Sequence, residues 1–132
     1  MKCYPLSCLL IILIGCIGPG KNDFTVDLCN NYVLARCSND VVYIHRNGVS
    51  QKGEFPRIES KVISIGWDAR YILAERQNID KAGMPIPGQY EYYIIDTNLN
   101  TMTGPLTKVA FAEMVNQLGI LIKLQDVYTY KK

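Results

Sequence analysis

Apolar and polar residues alternate over several short stretches of the chain, and a period of two is the signature of strands with one face turned inward. Phe24, Val26 and Leu28 precede Asn30-Asn31, and Val33, Ala35 and Cys37 follow it. Asn tolerates the positive φ that a two-residue hairpin turn requires, so the two runs read as paired strands. In that register Cys29 faces Tyr32, Leu28 faces Val33, Val26 faces Ala35 and Phe24 faces Cys37. The apolar set then shares one face, with Thr25, Asp27 and Arg36 on the other. Asn39-Asp40 supplies a second tight turn, after which Val41 to Arg46 returns with Val42 and Ile44 on the apolar face and His45 on the polar one. Lys61 to Ile65 and Arg70 to Arg76 form a further hairpin around Gly66-Trp67-Asp68-Ala69, with Ile63, Ile65, Ile72 and Ala74 on a common face. Tyr90 to Asp96 is the next strand, beyond a Gly/Pro-rich loop from Gln77 to Gln89 long enough to be mobile or functional.

The period changes near the C-terminus. Gly104-Pro105 stops the sheet, Thr107 is an N-cap, and Leu106 with Phe111 has the spacing of a hydrophobic staple. A helix follows from Lys108 to about Leu118, with Phe111, Met114, Val115 and Leu118 on one stripe and Gly119 as its stop. A last strand uses Leu121 to Tyr130. The expected architecture is α+β: an antiparallel sheet of about six strands, built as a meander and hairpins, with one C-terminal helix packed on one face. Residues 24–132 form its single domain.

The first 20 residues do not fit that pattern. Met1-Lys2 precedes an apolar stretch containing Leu9-Leu10-Ile11-Ile12-Leu13-Ile14, shorter than the ~20 residues a bilayer-spanning helix needs, and it reads as an export signal. Leu13-Ile14-Gly15-Cys16 is similar to the lipobox of bacterial lipoproteins. The resemblance implies cleavage after Gly15, a lipid-bearing Cys16 as first mature residue, and residues 16–23 as lipidated cysteine and tether. The domain would then be held at the outer side of a bacterial membrane, with plain secretion as the alternative. Composition agrees with a folding chain, since 48% of the 132 residues are hydrophobic and 20% charged. A net charge of +2 from scattered residues argues against nucleic-acid binding and leaves the anchoring to the lipid.

Export makes disulfides possible, and Cys29 and Cys37 remain once the leader and Cys16 are set aside. In the register above they stand at opposite ends of one strand pair, about 16 Å apart at ~3.3 Å per residue. Bridged Cα atoms lie within ~7 Å, so two unpaired thiols, Cys37 buried and Cys29 near a turn, are favoured over a disulfide.

Several segments together carry a family resemblance: Tyr32-Val33-Leu34-Ala35-Arg36, Ile65-Gly66-Trp67-Asp68-Ala69-Arg70-Tyr71-Ile72-Leu73-Ala74, Tyr93-Ile94-Ile95-Asp96-Thr97, and Gly104-Pro105-Leu106-Thr107 with Phe111 and Leu118-Gly119-Ile120. They resemble a family of small bacterial lipoproteins and secreted domains known as the domain of unknown function numbered 3997. The resemblance implies an exported location and brings no activity and no functional residue with it.

Chemistry must therefore be sought residue by residue. His45 is the one histidine and lacks the orienting partner and nucleophile that a general base needs. Asp96, Asn98 and Asn100 have the spacing that opens a calcium loop, but Thr101 stands where its glycine belongs and Thr107 where its bidentate Glu belongs. A polar turn is the better reading, and no metal or other cofactor is expected. Trp67-Asp68 is reminiscent of a propeller blade, yet four blades of ~40 residues exceed this chain, so Trp67 reads as a core or hairpin-cap aromatic. Tyr90 and Tyr92 share a face opposite Tyr93, and with Met84 and Ile86 of the neighbouring loop they form a candidate recognition surface.

The resulting expectation is a lipoprotein module without enzymatic activity that binds a protein or envelope component. An immunity or inhibitor lipoprotein is the alternative, and a small hydrolase using His45 ranks third.

Overall fold

Asn30 and Asn31 take φ values of 51° and 67°, the left-handed pair that a tight hairpin turn demands. They join β1 (Phe24–Asp27) to β2 (Tyr32–Arg36), and β3 (Val42–Arg46) completes an antiparallel meander in the order β1-β2-β3. The computed structural model describes residues 23–48 and 55–131; the expected leader, Gly15, Cys16 and the expected tether up to residue 22 lie outside them.

The turns fall where the sequence places them, but the registers do not. Tyr32 N–H donates to Cys29 O and closes the first turn, whereas the next bond comes from Leu28 N–H to Tyr32 O. One extra residue enters the strand, and Phe24 faces Arg36 instead of Cys37. The second hairpin repeats the device, with Val41 N–H on Ser38 O and then Cys37 N–H on Val41 O. A slip of one residue exchanges the faces of a strand. Tyr32, Leu34 and Arg36 accordingly lie on the side of Val42 and Ile44, while Val33 and Ala35 face away and His45 pairs with Val33. Cys37 is exposed rather than buried, Cys29 is half-buried, and both are free thiols. Alternation misleads here because β2 is the middle strand and is buried on both sides, Val33 and Ala35 being 7% and 6% exposed.

The remaining strands form a second sheet, so one sheet of about six strands is replaced by two sheets with eight strands among the described residues. β4 (Val62–Trp67), β5 (Tyr71–Ile79), β6 (Pro85–Asp96), β7 (Thr101–Leu106) and β8 (Gln125–Asp126) are ordered β7-β6-β5-β4-β8. Its central strands are apolar on both faces. Ile72, Ala74, Tyr93 and Ile95 meet the three-stranded sheet, and Leu73 and Ile94 meet helix α1 (Lys108–Gln117). The class is α+β, with the helix on one face of the larger sheet as expected and the smaller sheet on the other.

Local departures have local causes. A bulge at Ile63 puts Val62, not Ile63, into the core. Gly104-Pro105 does not end the sheet, because β7 is an edge strand that shifts register against β6 and needs no Pro N–H. The expected last strand shrinks to Gln125–Asp126, followed by a single 3-10 turn over Val127–Tyr130. Most of the expected Gln77–Gln89 loop lies in strands: β5 runs to Ile79 and β6 starts at Pro85, which pair with each other. At its tip Asp80 Oδ1 accepts from the N–H groups of Ala82 and Met84 at 2.8 and 2.9 Å. The segment is a capped β-arm.

Candidate functional site

Helix α1 owes its position to its ends. Thr107 Oγ1 accepts from Ala110 N–H, and Leu106 and Phe111 join one apolar cluster on the sheet, as the staple requires. At the other end Gly119 (φ 66°) donates to Asn116 O and Ile120 donates to Val115 O, the two bonds of a Schellman motif. The chain is thereby turned back, and Leu118 is left 45% exposed while Ile120 takes the buried place expected of it. The returning segment then crosses β4 at Gly66, where a Cβ would lie 2.5 Å from Lys123 O.

Between the helix and this return lies an open groove of about 540 Å³. Phe111, Ala112 and Val115 form its helical wall, and Ile120 and Leu124 the opposite one. Glu75 of β5 and Tyr92 of β6 are cross-strand partners on the floor, with Lys108 and Asn116 at the mouth. Tyr92 OH donates to Glu75 Oε1 at 3.1 Å, and its ring lies 5.0 Å from that of Phe111 at 31°. Burial, and then the bond to Glu75, push the Tyr92 phenol up from its ordinary pKa, so it remains a donor at neutral pH.

The expected recognition residues divide along the arm. Tyr90 pairs with Gln77 one step beyond the Glu75–Tyr92 pair and is 44% exposed. Met84, at the arm's tip, is 56% exposed, while Ile86 is half-buried and its carbonyl accepts from the Gln77 amide at 3.2 Å. Tyr92 was expected on the surface, but it is 7% exposed because α1 covers it. Tyr90 and Tyr92 do share a face. Tyr93 enters the opposite core, where burial and its bond to Glu91 push its phenol up to about 12.

Other residues singled out by the sequence lie elsewhere. His45 stacks on Tyr43 at 5.3 Å, and its Nδ1 lies 3.2 Å from Arg46 O. Asp96 closes its turn by accepting from Asn98 and Leu99 N–H, and its two oxygens receive Arg70 at 2.7 to 3.2 Å. That guanidinium, with the turn N–H groups, holds the Asp96 carboxyl below its usual range. Trp67 packs against the main core and lies 5.0 Å from Tyr130, while Asp68 Oδ1 caps its turn through Arg70 and Tyr71 N–H. Among the described residues no group of three or more His, Cys, Asp or Glu is placed to hold a metal ion.

The groove itself was not legible. Phe111, Val115 and Ile120 carry an apolar signal, but nothing in the local pattern says that Glu75 and Tyr92 lie beneath them. No curated protein matches the chain, and no solved structure does. A model of the family described as proteins of unknown function, DUF3997, matches residues 29–128, which is most of the chain and nearly all of the fold described above. The chain belongs to the DUF3997 family.

Proposed function

We propose that this protein is an exported lipoprotein anchored through Cys16, and that its folded part is a binding module without catalytic activity. The reading rests on the leader ending in Gly15-Cys16 for its location and on the groove for its role. The carrying observation is an open apolar groove, and the β5–β6 arm beyond it exposes Tyr90 and Met84, side chains suited to engaging a protein or envelope component. Among the described residues no helix is long and apolar enough to cross a membrane; the lipid on Cys16 is what would hold the domain at the membrane.

Two experiments test the two halves. Radiolabelled palmitate should enter the wild-type chain in a lipoprotein-processing bacterium and should not enter Cys16→Ser; equal labelling, or none in either, defeats the anchor. For the module, residues 78–89 are replaced by Asn-Gly, which closes β5 onto β6 at the Gln77–Tyr90 pair. Crosslinking in native cells should lose a specific adduct while circular dichroism stays unchanged. An identical adduct pattern would remove the arm from the interaction.

A further inference from the structure

The groove carries a chemical preference. Glu75 presents a carboxylate at the base of a cleft whose walls are apolar, and Tyr92 OH orients it by donating to Oε1. Among the described residues Oε2 has no hydrogen-bond partner. Beside it, the half-buried Phe111 ring lines the groove and packs on the Tyr92 ring with centroids 5.0 Å apart. A carboxylate at the base of an apolar cleft attracts a cation through charge-assisted hydrogen bonds to oxygen, while the apolar walls take the rest of the ligand. An anion placed there would meet the Glu75 charge in partly desolvated surroundings and be repelled. The one cationic side chain of the lining, Lys108, is exposed on the first residue of α1, where solvent and salt screen it.

We propose that the groove is a site for a small amphiphilic amine, with a protonated nitrogen on Glu75 and an apolar stem against Phe111, Val115 and Leu124. The inference deepens the binding-module reading and rests on it. Three water-soluble probes of similar shape separate the terms: phenethylammonium, 2-phenylethanol and 3-phenylpropanoate. Each is titrated by calorimetry into the full chain in neutral maltoside micelles, with empty micelles subtracted. Phenethylammonium should saturate at least about tenfold more tightly than the alcohol, and the carboxylate should not saturate. Glu75→Gln keeps the shape and the Tyr92 bond, and it should bring the amine to the level of the alcohol. Equal binding of all three probes, preference for the carboxylate, no saturable binding, or an unchanged preference in Glu75→Gln each overturns the proposal. So does a stable dimer by sedimentation in which the probes no longer bind, since a second copy would then fill the groove. Loss of the amine preference with arm-dependent crosslinking intact would leave the binding-module reading standing.

Discussion

Cys29 and Cys37 differ in what surrounds their sulfur. Cys37 lies on an exposed turn, whereas Cys29 is half-buried with its Sγ 3.6 Å from Thr97 Oγ1, and burial pushes its thiol up. Since the thiolate is the reactive form, native alkylation followed by mass spectrometry should label Cys37 faster, on the order of tenfold. Equal rates would contradict the register found for β2. Asp96 provides a pH signature of the same local kind. Its carboxyl is lowered in the folded state by Arg70, so the stability it contributes is complete above its unfolded pKa and is lost as pH falls through the folded one. Below about pH 4 the wild type should therefore lose stability more steeply than Asp96→Asn. Parallel acid limbs in denaturant titrations would show that the Arg70–Asp96 pair contributes nothing measurable, as many exposed ion pairs do.

Among the elements, α1 is the one most fully specified by its own residues. Thr107, the Leu106–Phe111 staple and Gly119 act within five residues of where they stand. Thr107→Ala removes the acceptor for Ala110 N–H and should cost about 1 kcal/mol in urea unfolding, while Thr107→Ser should restore most of it. If both variants match the wild type, the cap is supplied by solvent instead. The β5–β6 arm is the contrasting case. Its Gly and Pro content reads as a loop, but the pairing of Ile79 with Pro85 across the Asp80 turn and a bulge that absorbs Ile86 to Gln89 make it a strand pair.

At the scale of the molecule, the layers are tied together at points where distant segments meet. The Asn30 side chain donates to Thr97 Oγ1 at 2.7 Å, and Tyr32 OH donates to Asn100 Oδ1 at 3.1 Å, fastening the small sheet to the β6–β7 turn. On the other side of the larger sheet, Gly66 lets the Ile122–Lys123 segment lie against β4 and so form one wall of the groove. Gly66→Ala must displace that backbone and should destabilise by about 1–3 kcal/mol, the usual cost of overpacking. The same variant should weaken phenethylammonium binding, because Leu124 moves with the segment. A Gly66→Ala protein with wild-type stability would mean that the return segment gives way freely.

The sequence by itself determined the α+β class, the positions of the Asn30-Asn31 and Asn39-Asp40 turns, the caps and limits of α1, and the DUF3997 resemblance. Each depends on residues close together along the chain, where φ preference, capping and a repeated spacing act directly. The tertiary structure alone decided the bulges that exchange the faces of β2, the division into two sheets and the burial of Tyr92. Those outcomes depend on which surface covers which. Tyr32-Val33-Leu34-Ala35 and Leu73-Ala74 are apolar on both sides, so alternation cannot choose a face for them. The groove arises the same way: Glu75, Tyr92, Phe111 and Leu124 meet only after β5, β6, α1 and the return across Gly66 are in place.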